Sequence, residues 1–445
     1  MKSQLTHKQW LKPLGILIPL LFSAQSWAIT LNEAVEDAII HSPEFRDQVK
    51  AAQGLQADLR GAKAAYYPKI DLSTGIGYEE VKNNTTDTTG DGLTRREASI
   101  RVSQNLFEGF GTKYDVTRVQ AKLDAQKYKA LDQANQTALD MVKAYLSLLK
   151  EEKLLRLAED NRDTHQKILD QIIERQKAGI GNKVEVDQAR ARLYLAETNF
   201  ASEKNNYYDA KARFHRVLGR TIDNHLVEPK FHFQLPSTLQ EAIDQALLQH
   251  PTLLSANADL VETQNQVKVN RSLYYPKLDL ELSKTYNQDV NGIKGTDENL
   301  QLMLRLRYNL FNGGADKSKV DSAIADYQRS AEIRNHSRRQ AIEAVRYSWN
   351  AMESIQQQIN YQKLHIKMTH DTLIGYRKQF SLGRRSLLDL LNTEDEYNSA
   401  MRELVKSESD LATAKYRILH DTGALLPAFK IDLGLLKVNN SYDDL

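Results

Sequence analysis

There is no cysteine among the 445 residues. This excludes disulfides, thiolate metal ligands, a cysteine nucleophile and a lipid-carrying cysteine behind a cleaved leader. Neither sign of charge is in excess. Of 60 lysines and arginines, Lys2, Lys8 and Lys12 fall in the leader described below, leaving 57 against 58 acidic residues. So balanced a chain has no footprint for a polyanion, and nucleic acid is not an expected partner. Past Ala28 no apolar run approaches the roughly 20 residues of a transmembrane helix. There is no G-x-S-x-G, P-loop or H-E-x-x-H. The 11 histidines are scattered, and His365 and His370 stand five apart rather than the four of a one-face metal pair. No enzyme activity, cofactor or metal is expected.

What is present begins with a secretory leader at 1–28: the three lysines, an apolar run at 14–22, and Ser26-Trp27-Ala28 with small residues at the cleavage positions. Beyond it the chain is written twice. "TLNEAVEDAIIHSP" (30–43) returns as "TLQEAIDQALLQHP" (238–251), and "YYPK" stands at 66–69 and 274–277. "NLFEG" at 105 answers "NLFNG" at 309, and "RQKAGIGNKVEVD" at 175 answers "RKQFSLGRRSLLD" at 377. The halves span 29–219 and 238–423, with a linker at 220–237 and a loose tail at 424–445.

Each half opens on a T-x-x-E capping box, Thr30 with Glu33 and Thr238 with Glu241. A second helix follows, entered at Ser42-Pro43 in the first half and stopped by Pro68 and Pro276. The period then changes to two. Ile70, Leu72, Ile76 and Tyr78 alternate with Asp71, Ser73, Gly77 and Glu79, and Leu300, Leu302, Leu304 and Leu306 alternate with Gln301, Met303, Arg305 and Arg307. These patterns predict hairpins at about 69–107 and about 277–311. Proline-free helical stretches at 113–177 and 317–379 follow, with a coiled-coil seam at Leu139, Val142, Leu146 and Leu149. Gly179, Gly181 and Gly383 break them, and return helices run over 184–218 and 386–419, so the paired rods cover about 112–218 and about 315–420.

Strands of about ten residues with one apolar face, flanked by Tyr66, Tyr67, Tyr274 and Tyr275, fit an outer-membrane barrel with an aromatic girdle. The YYPK phrase is then the hinge between helix and membrane strand. Amphipathic hairpins also occur in soluble sheets, but the leader, the duplication and the twin rods agree on the membrane reading. Four strands cannot close a barrel, so several copies must each contribute four. The polar helices would project into the compartment beneath as a tube. A barrel enzyme would need a convergent Ser, His and acid set that the strand faces lack; a secreted coiled-coil structural protein would leave the apolar hairpins unexplained. The loops "DTTGDG" and "DVNGIKGTDE" are oxygen-rich but lack EF-hand spacing.

The paired "LxEAxxxAxxxxP" openings, "YYPKxDL", "NLFxGG" and "YRKQFSLGRRSLLDLLNTEDEYNSA" resemble the TolC-like outer-membrane efflux and secretion proteins over essentially the whole mature chain. The resemblance implies a homotrimer with a 12-stranded β-barrel in the outer membrane of a Gram-negative bacterium. The barrel would continue into an α-helical periplasmic tunnel, which docks an inner-membrane pump through a periplasmic adaptor. "RYNLFNGGADKSK" is closest to type I secretion components of the LapE/AggA agglutination-protein kind. The implied partners are an ABC exporter, or a proton-driven pump if the cargo is a small molecule, together with outer-membrane lipid and a secreted protein substrate. The family's periplasmic gate maps onto Asp187 and Arg385, with Phe380 where the family has a hydroxyl-bearing tyrosine. Its acidic pore constriction maps onto Asp389 and Asn392, so the ring is less charged here. Gly179, Gly181, Gly383 and Arg384 would form the tip turns that meet the adaptor.

Overall fold

The computed structural model describes residues 29–82, 92–222 and 225–434. The leader, most of the first hairpin loop with all but the last residue of its "DTTGDG" stretch, and residues 435–445 lie outside the described residues. Helix α1 (Leu31–His41) begins with a reciprocal capping box: Glu33 N donates to Thr30 Oγ1 at 3.3 Å, and Thr30 N donates to the Glu33 carboxylate at 2.9 Å. Ser42 caps α2 (Pro43–Ala64), whose first residue is the proline. A turn at Ala65–Tyr67 and Pro68 then delivers the chain to β1 (Lys69–Glu79), which pairs with β2 (Leu93–Phe107).

Helix α3 (Gly111–Lys177) is 67 residues long, about 100 Å at 1.5 Å per residue. Helix α4 (Lys183–Leu218) returns along it. The second half repeats the order with α5 (Leu239–Gln249), α6 (Pro251–Ser272), β3 (Lys277–Gln288), β4 (Thr296–Arg307), α7 (Ala315–Ser381, also 67 residues) and α8 (Leu387–Asp421). The second capping box is only half made: Thr238 accepts from Glu241 N, but the Glu241 carboxylate takes Ser237 N instead.

The strands form one antiparallel sheet in the order β1-β2-β3-β4, so the outer edges of β1 and β4 are unpaired within the chain. Register keeps the alternation intact: Leu72 faces Ile100, Val102 faces Leu282, and Leu282 faces Leu302. A bulge between Asn105 and Phe107 sets Phe107 opposite Leu278 and leaves Leu106 outside the β2–β3 register. Ile70, Leu72, Ile76, Leu300, Leu302, Leu304 and Leu306 are all more than 60% exposed, an apolar face with nothing packed on it. On the other face Arg305 and Arg307 bridge to Glu281 and Asp279. The second loop is shorter than the sequence suggests, reduced to 289–295, because the Asp289 carboxylate accepts Gly295 N at 2.8 Å and clips its ends together.

The main core lies midway along the rods. There α1, α3, the end of α4 and the end of α8 bury Val35, Ile39, Met141, Val142, Tyr145, Phe214, Leu218 and Leu419. The hydroxyl of Tyr145 sits between the carbonyls of Ile29 and Val227, at 2.9 and 2.6 Å. Burial pushes its pKa up to about 12, so it stays a donor. The expectation of a loose tail is corrected for its first residues: a ninth helical turn, α9 (Leu425–Ala428), buries Leu425, Leu426 and Phe429 in this core, and Phe429 stacks on Tyr416. The linker packs too, through Phe231 and Phe233 against Tyr416. Apolar side chains in both segments have a core within reach, and burying them outweighs chain entropy.

Candidate functional site at the tip of the rods

At the far end from the sheet, α3 gives way to α4 and α7 to α8 through two matching turns. Gly179 and Gly383 adopt φ of +74° and +70°, a region where a Cβ is penalised. Their amides donate to Gln176 O and Phe380 O, closing the helix ends. Gly181 has ordinary φ but lies close over Gln176, while Asn182 caps α4 in a box with Glu185. Arg384 is exposed at the apex of the second turn. Beneath the turns, Ile168, Leu169, Ile172, Val186, Leu193, Leu387 and Leu391 form a small core joining α3, α4 and α8, with Phe380 packed against it.

Asp187 and Arg385 are not joined within the chain. Asp187 is exposed, and its ion-pair contact is Arg190 on its own helix at 4.0 Å. Arg385 instead lies over the ring of Tyr376 at 4.0 Å and donates to its hydroxyl at 2.5 Å. Its Nε stands 3.1 Å from Asp389 Oδ2, a charge contact without hydrogen-bond alignment. Asp389 also accepts from Ser386 Oγ at 2.8 Å, and its own amide donates to that hydroxyl, by which Ser386 caps α8. Asn392 accepts from Arg192 of α4 at 2.8 Å. Phe380 receives the guanidinium of Arg175 at 5.0 Å from its ring centre.

Sequence reading missed Tyr376, one turn before Phe380, which supplies a hydroxyl that Phe380 cannot. It also missed Arg192, Asp395 and His165, which no motif marks. His365 and His370 face outward, beside Glu396 and against Tyr397. Among the described residues no cluster of three or more His, Asp or Glu could hold a metal ion, and no helix is long and apolar enough to cross a membrane.

The family of outer membrane efflux proteins matches residues 34–220 and 242–424, one match for each half. The chain belongs to that family. This outer membrane efflux protein is therefore an outer-membrane channel protein of Gram-negative type and not an enzyme. It is similar to the alkaline protease secretion protein AprF of Pseudomonas aeruginosa, 24% identical over 94% of this chain and 89% of the relative. Outer membrane protein TolC of Escherichia coli is 23% identical, over 92% and 84%. Among solved structures, the outer membrane protein VceC of Vibrio cholerae superposes with a TM-score of 0.78 at 17% identity, over 88% of this chain and 96% of that one. CusC gives 0.77 at 16%, over 90% and 91%. These likenesses agree with the fold: mostly helical rods and one four-stranded sheet per chain.

Proposed function

We propose that three copies of this chain close a 12-stranded barrel, continuous with a helical periplasmic tunnel, and form the exit duct of a type I secretion system. The observation that carries the duct is the four-stranded sheet itself. One face is apolar and bare, both edges are open, and an open edge in lipid is untenable, so neighbouring copies must pair β1 with β4. Its partners would be a periplasmic adaptor at the tip turns and an inner-membrane ABC exporter. The resemblance to agglutination-type components favours a large adhesin as cargo. Support for protein secretion comes from relatives named for it: AprF, and the Dickeya chrysanthemi protein PrtF, a proteases secretion protein 20% identical over 91% of this chain and 90% of its own length. A second reading, small-molecule efflux with a proton-driven pump, is favoured by similarity to the efflux protein BepC of Brucella suis, 23% identical over 82% of this chain and 78% of the relative.

In this reading Asp187 and Arg385 meet between neighbouring copies at the closed tip, and three copies of Asp389 with Asn392 line the constriction. The hinge residues Tyr66, Tyr67, Pro68, Tyr274, Tyr275 and Pro276 sit at the membrane surface. The purified protein should run as a heat-resistant trimer and give stepwise currents in a planar bilayer. A monomer that stays in the soluble fraction would sink the reading. Deleting the gene and following secreted proteins against antibiotic sensitivity separates the two cargo classes.

A further inference from the structure

Within the four strands, the sheet face that carries Ile70, Leu72, Leu302 and Leu304 bears charge only at Arg96, Lys284 and Glu298, all in the half nearest the hairpin loops. Arg96 stands opposite Ile76 on β1 and Gln288 on β3, and among the described residues its guanidinium has no ion-pair partner. Its sequence neighbour Arg95, on the other face, is held by Glu79 and Glu97, both at 2.8 Å. Lys284 lies opposite Ile100 and Leu300, and its ammonium leans toward the loops, 3.9 Å from Glu298 and too far for a hydrogen bond. Tyr286 stands between the two cations and is 42% exposed, with Ala98 and Thr74 beside it leaving a shallow floor. From Leu278 to Gln288 the strand climbs about 26 Å, at ~3.4 Å per residue and ~40° of tilt. An outer-membrane apolar band is about 25 Å tall, so Arg96 is level with its outer edge, and Lys284 reaches up to that edge along its own stem. The same face carries no charge at the hinge end, so the cations select the outer leaflet.

We propose that Arg96 and Lys284, with Tyr286 between them, bind the phosphorylated headgroup of a glycolipid in the outer leaflet. The site rests on the duct reading, which places this face in lipid. A cation at the edge of an apolar band is stabilised by an anion that brings its own acceptors, and phosphate oxygens suit both the planar fork of arginine and the ammonium of lysine. Glu298 offsets part of the charge of Lys284, but at 3.9 Å it leaves the ammonium protons open to a stronger acceptor. Tyr286 presents an apolar ring toward the sugar and acyl chains and a hydroxyl toward the phosphate.

The full-length protein in detergent, titrated with fluorescent lipopolysaccharide, tests it beside two comparisons: the same lipid with its phosphates removed, and phosphatidylglycerol. The wild-type protein should bind the phosphorylated glycolipid about tenfold more tightly than either comparison, the change that ~1.4 kcal/mol produces. Arg96→Gln combined with Lys284→Gln should abolish that preference, and Arg95→Gln, at the same height on the opposite face, should retain it. Because the chain has no cysteine, a dye attached through Thr94→Cys gives a second reading: its fluorescence should shift with lipopolysaccharide and not with the dephosphorylated lipid. If the double variant fails to fold, the dye alone decides. No preference in the wild type, equal affinity for phosphatidylglycerol, a preference that survives the double variant or is lost with Arg95→Gln, or an unmoved dye overturns the site and leaves the duct standing. A wild-type protein that neither enters vesicles nor conducts removes the duct reading, and the site with it.

Discussion

At the residue scale, Arg385 does several jobs through one guanidinium: it stacks on Tyr376, donates to the Tyr376 hydroxyl, and faces Asp389. Each contact is half-exposed and worth about 1 kcal/mol or less. Arg385→Ala should therefore raise the open fraction of the channel, by about fivefold for each contact of ~1 kcal/mol that is lost, read as single-channel occupancy. Asp389→Ala should instead lower cation preference, measured as a reversal potential in a salt gradient. His250 titrates in a different place, where α6 begins against the end of α8. Burial holds its pKa below the usual histidine value, His420 adds to this, and Asp132 and Asp421 oppose it. The unfolded chain then binds the proton more readily than the folded one, so stability is full above about pH 6.5 and falls as pH drops through the folded pKa. His250→Asn, which puts a side chain able to cap at the N-cap of α6 where the histidine makes no cap bond, should flatten the acid limb of a melting-temperature profile.

At the element scale, the strands carry their assignment in their alternation, and one substitution on each face tests it. Leu302→Arg places a charge on the bare apolar face of β4 and should cost about 2–4 kcal/mol if that face meets lipid at mid-depth. Gln301→Arg, on the opposite face, should be nearly neutral. The urea midpoint of the reconstituted protein distinguishes them, and equal effects would place both faces in water. Elements were read closely from the sequence because each has its own local signal. Proline and period-two alternation mark the strands, capping residues mark the helix starts, and glycine marks the tip turns. The packing of the linker and of the start of the tail is not legible in the sequence for the same reason: with no periodicity of their own, their apolar residues show a role only when a core lies beside them.

At the scale of the whole molecule, the central core is built from segments that are remote in sequence. Tyr416 meets Phe231, Phe233 and Phe429, which joins α8, the linker and the last turn around one aromatic cluster. Phe429→Ala should destabilise the periplasmic part by about 3–5 kcal/mol, visible as a lower urea midpoint by circular dichroism, while leaving barrel insertion intact. A value near zero would mean the tail is dispensable.

The sequence by itself determined the duplication, the rods and the hairpins, because periodicity and caps are local properties of the chain. Only the tertiary structure decided which charges meet. Arg192 and Asp395 are 203 residues apart, and nothing in the spacing of either half sets the rotation of α4 against α8. Likewise Arg385 could have turned to Asp187, to Asp389 or to Tyr376. The helix that follows its glycine turn points it at the last two, and that direction is a property of packed helices rather than of the string of residues.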